Sequence, residues 1–315
     1  MGGAMRFDGR VAIVTGAGAG LGRAHALGLA ARGARVVVND LGAATDGSGA
    51  SSDAARAVVA EIRAAGGHAM ANGANVTDAA QVRAMVDAAI AEWGRVDILV
   101  NNAGILRDKT FAKMDMADFR LVTDVHLMGS AICTHAVWRH MCERGYGRIA
   151  FTTSASGVYG NFGQANYGAA KAGVVGLMNV LAQEGAKYDV RVNTLAPTAA
   201  TRMTEGLLPP DALALLAPDT ITPGLLMLVC DDAPTKMILG AGAGCFTETR
   251  ITETAGVALT GDDLTPEGVL ANLSRIRDPE GAQEMPNAFA QTRKYARMAA
   301  AARGLPTPWP TETNE

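Results

Sequence analysis

The sequence predicts an α/β protein built on one doubly wound parallel sheet, followed by a C-terminal extension. Short apolar runs rich in β-branched residues alternate with segments of helical spacing as far as about residue 250. Strands that are apolar along their whole length are typical of a parallel sheet covered by helices on both faces. A glycine-rich turn after the first apolar run places the fold among the Rossmann-type sheets.

The predicted elements follow in regular order. Strands are expected in RVAIVT from Arg10, RVVVN from Arg35, HAMANGANV from His68, VDILV from Val96, RIAFTT from Arg148, RVNTLA from Arg191 and KMILG from Lys236. Helices are expected over 21–32, 53–65, 78–93, 115–143, 166–187 and 224–230. We expect residues 1–250 to form the core with the active site. Residues 251–315, which are turn-rich and then weakly helical, are expected to be an appendage that packs on the core or on a dimer partner.

Composition limits the kinds of function. The net charge is −3, from 28 basic and 31 acidic residues scattered along the chain, so nucleic acid is not an expected partner. No stretch approaches the roughly 18 apolar residues that cross a bilayer, and we expect a cytoplasmic protein without membrane contact. The four cysteines are far apart and lack histidines at ligand spacing, so neither disulfides nor a metal site are expected.

The turn after the first predicted strand reads TGAGAGLGR. Glycine lets the backbone turn sharply and approach a pyrophosphate, whose charge then lies at the free N–H groups of the following helix. The motif predicts that a dinucleotide binds at Gly16, Gly18, Gly20, Leu21 and Gly22. A purely structural tight turn is the alternative interpretation.

Asp40 ends the second predicted strand, 18 residues after Gly22. A carboxylate about 20 residues beyond the glycines accepts hydrogen bonds from the adenosine ribose and repels a 2′-phosphate. Neither Ala19 nor Leu41, where a compensating cation could lie, is basic. The sequence therefore predicts NAD rather than NADP; the simpler alternative is a solvated aspartate at a strand end.

The stretch SASGVYGNFGQANYGAAK, from Ser154 to Lys171, holds two tyrosines and no histidine. Tyr167 has a lysine four residues later on the same helical face, whereas Gly163 follows Tyr159 at that spacing. An ammonium beside a phenol lowers the phenol pKa from about 10 toward neutrality, as an acid/base catalyst requires. Tyr167 and Lys171 are therefore the predicted catalytic pair.

Ser154 ends the fifth predicted strand, 13 residues before Tyr167, at the sheet edge where ligands of such folds bind. Its hydroxyl could donate to a substrate oxygen beside Tyr167, with Ser156 as the competing serine. A tyrosine and a lysine four residues apart are usually only solvated neighbours. Together with the serine and the glycine loop, however, they predict an active site.

These motifs together resemble the short-chain dehydrogenase/reductase family over about residues 6–250 through TGAGAGLGR, NNAG from Asn101, and the set Ser154, Tyr167 and Lys171. The resemblance implies hydride transfer between a nicotinamide and a carbinol or carbonyl carbon, with Tyr167 as acid/base. Lys171 would hold Tyr167 and the nicotinamide ribose, Ser154 would orient the substrate oxygen, and Asn101 would support the cofactor edge. Further cofactor contacts are implied at Asn75, Val76, Asn102, Ala103, Gly104, Tyr167, Lys171, Pro197 and Thr201.

A closer likeness lies in VNDLG from Val38, NNAGILRDKTFAKM from Asn101, VHLMGS from Val125 and SASGVYGNFGQANY from Ser154. These segments resemble the (3R)-hydroxyacyl-CoA dehydrogenase units of type 2 peroxisomal multifunctional enzymes. The resemblance implies a homodimer, which could pair into a tetramer, that uses NAD to oxidise a (3R)-3-hydroxyacyl-CoA to the 3-ketoacyl-CoA. Two alternatives stay open: oxidation of a hydroxysteroid or another secondary alcohol, and a dinucleotide sensor without catalysis.

Three positions depart from the family pattern. His126 stands in VHLMGS where the family has asparagine, so it is a candidate either for anchoring a proton-relay water or for packing alone. Asn75 and Val76 stand where many relatives have Asp-Val, and the amide still offers adenine a donor and an acceptor. Thr198 replaces the common glycine after Pro197, in a loop over 198–204 that we expect to cover the nicotinamide.

Two regions are candidates for substrate contacts. Segments 157–164 and 207–216 are expected on the substrate side, the second either as an apolar lid or as a helix packed on the core. The extension carries basic residues at 275, 277, 293, 294, 297 and 303, which either hold a CoA phosphate or form a solvated helix face.

Overall fold

The computed structural model describes residues 4–49, 51, 53–200 and 209–309. The chain divides into two compact units, Met1–Thr249 and Arg250–Glu315. Within the described ranges, no helix combines the length and the apolar composition needed to span a bilayer.

The larger unit contains an eight-stranded sheet. Its strands are β1 (Val11–Thr15), β2 (Arg35–Asn39), β3 (His68–Asn72), β4 (Ile98–Asn101), β5 (Gly147–Thr152), β6 (Val190–Pro197), β7 (Ile238–Gly242) and β8 (Cys245–Thr249). Their order across the sheet is β3-β2-β1-β4-β5-β6-β7-β8. Every neighbouring pair is parallel except β7 and β8, which are antiparallel. The predicted doubly wound α/β fold is therefore confirmed, and β8 is an addition at its edge.

β8 follows β7 through a two-residue hairpin that the sequence did not predict. Gly242 pairs with Cys245 across the turn, and Ala243 and Gly244 have φ values of 51° and 74°. Two residues of positive φ form the tight turn whose twist matches that of adjacent strands. Because alanine seldom adopts positive φ, the dipeptide Ala-Gly gives only a weak turn signal.

The helices of this unit are α1 (Gly20–Ala30), α2 (Asp53–Ala64), α3 (Ala79–Trp93), α4 (Met116–Thr123), α5 (Gly129–Arg144), α6 (Ala155–Tyr159), α7 (Ala165–Gly185), α8 (Pro210–Leu215) and α9 (Thr222–Leu228). The single helix predicted over 115–143 is interrupted, because Asp124–Met128 forms a turn of π-helix between α4 and α5. Such turns are rare and are often found at functional sites.

Buried side chains pack on both faces of the sheet. One layer, with Leu29 and Leu225, covers the face of α1, α2 and α9; the other, with Met85, Met141 and Met178, covers the face of α3, α5 and α7. β2 and β3 extend from β1 in one direction, and β4 to β7 extend in the other. Ligands of such sheets bind at the carboxyl ends of the strands where the order reverses, which here is between β1 and β4.

The smaller unit is made of short elements. They are β9 (Thr252–Glu253), α10 (Pro266–Ala271), α11 (Leu273–Ile276), β10 (Gln283–Glu284) and α12 (Ala288–Ala302). β9 and β10 pair antiparallel, and Lys294 of α12 forms a 2.8 Å ion pair with Glu253 of β9. This ion pair ties α12 to the two-stranded ribbon.

Candidate active site

The loop between β1 and α1 forms a backbone cradle. Gly16 and Gly20 have φ values of 62° and 53°, which glycine adopts without strain. A Cβ added to Gly22 would lie 2.2 Å from Gly16 O, so the contact between helix and loop excludes any side chain. α1 begins after Ala19 without a side-chain cap, which leaves its first N–H groups available to an anion, and Leu21 is partly buried in that turn. This geometry fits a pyrophosphate.

Asn102, after the end of β4, holds the glycine loop in place. Its Nδ2 donates to Thr15 O at 3.0 Å and to Gly16 O at 3.1 Å, and its backbone N–H donates to Thr15 Oγ1 at 3.0 Å. Asn101, which the resemblance implied as the support for this edge, instead donates to Thr134 Oγ1 of α5 at 3.1 Å. Consecutive residues of an extended chain point to opposite faces, so only the structure shows which asparagine reaches the loop.

Ala103 and Gly104 continue this edge with close backbone contacts. A Cβ on Gly16 would lie 2.8 Å from the Cα of Ala103. A Cβ on Gly104 would lie 2.2 Å from Cε1 of His126. The NNAG segment therefore packs on the cradle on one side and on the π-helix turn on the other.

Asp40 lies beside the cradle at the end of β2. Its Oδ2 accepts a hydrogen bond from the Gly18 N–H and its Oδ1 accepts one from the Gly42 N–H, both at 2.7 Å. A Cβ on Gly18 would lie 2.8 Å from Oδ2, so glycine is what admits the carboxylate. These two hydrogen bonds hold the Asp40 carboxylate beside the glycine loop, where the sequence predicted a contact with the adenosine ribose.

Asn75 and Val76 follow β3 at the same edge. The Asn75 Oδ1 accepts from both the backbone N–H and the hydroxyl of Thr77, at 3.0 and 2.9 Å. This leaves the amide NH₂ as the group of Asn75 that an adenine could use. Val76 is buried against Gly129, where a Cβ would lie 2.8 Å from Val76 Cγ2.

Ser154, Tyr167 and Lys171 are brought together by β5, α6 and α7. Ser154 caps α6, with its Oγ accepting from the Ser156 N–H at 3.2 Å. The Ser154 hydroxyl lies near enough to the Tyr167 phenol to lower its pKa. The Lys171 Nζ lies 5.5 Å from the centroid of the Tyr167 ring and donates to Thr152 O at 2.5 Å.

The competing tyrosine and serine lie outside this group. Tyr159 is 74% exposed, and its hydroxyl is hydrogen-bonded to Thr249 Oγ1 at 3.0 Å. Ser156 donates from Oγ to Gln164 Oε1 at 2.7 Å. Both side chains are thus engaged elsewhere, and Tyr167 is the tyrosine beside Ser154.

Burial dominates the ionisation of Tyr167 and Lys171. Burial raises the pKa of Tyr167; the nearby Ser154 hydroxyl lowers this pKa, and the charge of Asp108 raises it further. Burial also lowers the pKa of Lys171 to about 7. Burial is thus the largest cause of the shift at both groups. Helical spacing predicts proximity but not the removal of both groups from water.

His126 lies in the π-helix turn and is 2% exposed. Its ring meets the Tyr167 ring edge-to-face, with centroids 5.1 Å apart and an angle of 88°. Burial, with a smaller contribution from the charge of Lys171, holds the pKa of His126 well below its usual 6.5. The imidazole is therefore neutral near pH 7.

Two polar residues, Gln164 at the end of the predicted substrate-side segment and Asn166, which sequence reasoning missed, join the loop after β4 to the start of α7. Gln164 donates from Nε2 to Asp108 Oδ2 at 2.6 Å, and its Oε1 accepts from Ser156. Asn166 is fully buried and donates from Nδ2 to Arg107 O at 3.0 Å. The only signal was the pair of polar side chains in GQANY, which a solvated helix start also shows.

The expected nicotinamide loop is described only at its start. Pro197 is the last residue of β6 and pairs with Ala241 of β7, and the Thr198 N–H donates to Ala241 O at 2.8 Å. Thr201, and residues 201–208 of the expected loop and lid, lie outside the described residues.

Comparison with known proteins places the chain in a family of dehydrogenases, in agreement with the glycine loop and the Tyr167 and Lys171 site. Residues 10–210 match the family model of the short chain dehydrogenases. The chain belongs to the short-chain dehydrogenase family and is an oxidoreductase that uses a nicotinamide dinucleotide.

Several relatives and solved structures within this family are similar to most of the chain. The peroxisomal hydratase-dehydrogenase-epimerase of Saccharomyces cerevisiae is 47% identical over 281 residues, which are 88% of this chain and 31% of that protein. The structure of the full-length peroxisomal multifunctional enzyme type 2 of Drosophila melanogaster matches with a TM-score of 0.76 and 39% identity, over 91% of this chain and 48% of that one. The structure of a 7α-hydroxysteroid dehydrogenase complexed with NADH and 7-oxo glycochenodeoxycholic acid matches with a TM-score of 0.69 and 33% identity. The match covers 76% of this chain and 95% of that one. The chain spans between 31% and 61% of the length of its multifunctional relatives.

Proposed function

We propose that the protein uses NAD to oxidise a (3R)-3-hydroxyacyl-CoA to the 3-ketoacyl-CoA. The main support for this substrate class is the similarity of most of this chain to multifunctional peroxisomal proteins. One of them is named a hydratase-dehydrogenase-epimerase. The arrangement of Ser154, Tyr167 and Lys171 supports the chemistry, because a proton acceptor and a hydroxyl donor meet at the same sheet edge as the dinucleotide cradle.

In this proposal Tyr167, as the phenolate, accepts the proton of the substrate 3-hydroxyl, while Ser154 donates a hydrogen bond to the same oxygen. When bound, NAD supplies the acceptor for the hydride that leaves the carbinol carbon. Loss of one proton and one hydride turns the carbinol into the ketone. Lys171 stabilises the phenolate and holds the nicotinamide ribose.

The substrate class is tested by comparing wild-type rates with NAD on a (3R)-3-hydroxyacyl-CoA, its (3S) isomer and estradiol. We expect the (3R) thioester to be oxidised fastest. A rate on estradiol far above the rate on both thioesters would remove the proposed substrate.

The role of Tyr167 is tested by Tyr167→Phe, which removes the phenol oxygen and keeps the ring. We expect kcat to fall by about a thousandfold, within the range of acid/base catalysis, while the Kd for NAD changes little. The control is Tyr188→Phe, which follows α7 and should keep wild-type kcat. An active Tyr167→Phe enzyme would contradict the mechanism.

NAD is the proposed cofactor because the carboxylate of Asp40 would face a 2′-phosphate. Asp40→Ala removes that repulsion, so kcat/KM with NADP should rise about tenfold or more relative to kcat/KM with NAD. Asp87→Ala, on the exposed face of α3, is the control for a general change in charge. A wild-type enzyme that prefers NADP would overturn the assignment.

A hydroxysteroid substrate is the second candidate, favoured by the 33% identical 7α-hydroxysteroid dehydrogenase. The estradiol rate above separates the two substrates, together with the rate on a 7α-hydroxylated bile acid. A dinucleotide sensor is the candidate of another class. It would be supported by a wild type that binds NAD and oxidises no alcohol.

A homodimer, which could pair into a tetramer, is the proposed assembly, with residues 251–315 packing on the core or on the partner subunit. Light scattering of purified protein should give a mass near twice or four times the 32.4 kDa of one chain. A mass of one chain at micromolar concentration would contradict it. Cytoplasmic localisation stays a prediction, since the multifunctional relatives are named as peroxisomal proteins.

A further inference from the structure

We propose that His126 is a positioning residue for Tyr167. Its imidazole is hydrogen-bonded to the backbone of Ile105 and holds the Tyr167 ring in place from the other side. The proposal rests on the proposed function, because it concerns the tyrosine that exchanges the substrate proton. It assigns to the histidine a role in placing the phenol rather than in moving a proton.

The first support is the contact between the two rings. The imidazole meets the Tyr167 ring edge-to-face at 5.1 Å and 88°, an arrangement that aromatic pairs prefer to face-to-face stacking. His126 is 2% exposed, so protein rather than water surrounds it. Movement of Tyr167 toward the imidazole is therefore blocked by a ring that is itself enclosed.

The second support is the anchor at the far side of the imidazole. The His126 Nε2 lies 3.0 Å from Ile105 N and 2.8 Å from Ile105 O. It accepts from the N–H in one tautomer and donates to the carbonyl in the other, so either tautomer is held. The His126 carbonyl accepts from Ser130 Oγ at 2.6 Å, which fixes the backbone of the π-helix turn as well.

The third support is the space that Gly104 leaves. A Cβ at position 104 would lie 2.2 Å from Cε1 of His126 and 2.9 Å from its Nδ1. Gly104 has no positive φ that would itself require glycine. The absence of a side chain at this position is therefore explained by the imidazole that occupies the space.

The charge state agrees with a placing role. Burial first and the nearby Lys171 charge second lower the pKa of His126, while the bond to Ile105 acts in the opposite direction. A neutral imidazole with Nε2 engaged by Ile105 has only Nδ1 left. Nδ1 is buried and has no hydrogen-bond partner among the described residues.

Two variants separate the ring contact from the bond to Ile105. His126→Asn keeps a polar group and loses the ring, whereas His126→Phe keeps a ring and loses the bond to Ile105. We expect kcat to fall about tenfold in each, the rate equivalent of one aromatic contact, while the KM for NAD and for the thioester stays within about threefold. The matched control is His25→Asn, because His25 is also fully buried and hydrogen-bonded, to Thr222 Oγ1 of α9. It should lower Tm and leave kcat unchanged.

A double-mutant cycle gives a second, independent measurement. Gly104→Ala should displace the imidazole and lower kcat; because His126→Ala vacates the space that the added Cβ needs, the combined loss should be smaller than the product of the two single losses. Multiplicative effects in the cycle, or wild-type kcat in His126→Asn, would overturn the proposal.

Failure of the substrate assignment can be distinguished from failure of this inference. Wild-type turnover of the thioester is measured first and tests the proposed function alone. A crystal structure of His126→Asn needs no substrate: the Tyr167 ring should shift toward the vacated space. If the Tyr167 ring does not move, the positioning role of His126 is refuted, whichever alcohol the enzyme oxidises.

Discussion

The hydroxyl of Ser154 serves two neighbours at once. It accepts from the Ser156 N–H at the start of α6, and it lowers the pKa of Tyr167. Since burial raises the pKa of Tyr167, the Ser154 hydroxyl opposes the larger effect, and the phenolate needed for oxidation becomes more populated as pH rises.

Ser154→Ala removes the hydroxyl that lowers the pKa of Tyr167. The apparent pKa for kcat/KM of alcohol oxidation should therefore move upward by about 0.5–1 unit, the equivalent of one hydrogen bond. The measurement is a pH profile of kcat/KM with NAD. Ser156→Ala, which loses only the bond to Gln164, should leave the profile in place. A downward shift in Ser154→Ala would show that the serine does not stabilise the phenolate.

Sequence reasoning could predict that Tyr167 and Lys171 are neighbours, because a four-residue interval fixes a shared helical face. It could not give their pKa values, because desolvation depends on residues distant in sequence, such as the Thr152 carbonyl that accepts from Lys171. The sequence also could not show which asparagine contacts the glycine loop, because Asn101 and Asn102 are adjacent residues of the same type. Thr201 lies outside the described residues.

Among the elements, α1 depends most directly on its first residues. The start of α1 lies so close to the β1–α1 loop that a Cβ at Gly22 would meet Gly16 O at 2.2 Å and Asn102 Nδ2 at 2.6 Å. The helix can present its N–H groups to a pyrophosphate only while this contact is kept.

Gly22→Ala should therefore weaken NAD binding by about tenfold or more and destabilise the fold by about 1–3 kcal/mol, as overpacking does. Calorimetric titration with NAD and thermal unfolding measure the two effects. The control is Gly176→Ala in α7, where an added Cβ meets nothing within 4 Å and should stabilise the helix by about 0.5–1 kcal/mol. Unchanged NAD affinity in Gly22→Ala would argue against the cradle.

Element boundaries were predicted best where periodicity is uninterrupted. The strands before Pro197 and the helices α2, α3 and α7 lie close to their predicted places because apolar runs and helical faces are local properties. The π-helix turn at Asp124–Met128 was not predicted, because one wider turn hardly alters the spacing of apolar residues in the sequence. The turn contains His126, whose Nε2 accepts from the Ile105 N–H at 3.0 Å, a contact that local spacing does not reveal.

At the scale of the whole unit, a buried arginine joins the amino ends of the central strands to the chain after α9. Arg148 at the start of β5 is 1% exposed and donates to the carbonyls of Asp189, Cys230 and Asp231. Its guanidinium also lies over the ring of Tyr146, 4.2 Å from the centroid.

Arg148→Met leaves those carbonyls without their donor and should cost about 3–5 kcal/mol, which lowers Tm by about 10 °C. Because the site lies at the other end of β5, kcat at 20 °C should stay within about twofold of wild type. The control, Arg139→Met, removes a surface pair with Glu143 and should cost less than about 0.5 kcal/mol. A loss of kcat without a loss of Tm would contradict this separation of roles.

β5 spans about 20 Å between that arginine and Ser154. Substitutions in the loops after the carboxyl ends of the strands can therefore change which alcohol is bound, while the distant guanidinium of Arg148 continues to stabilise the fold. Such a molecule can explore new specificities with little loss of thermal tolerance, as long as changes stay on one side of the sheet.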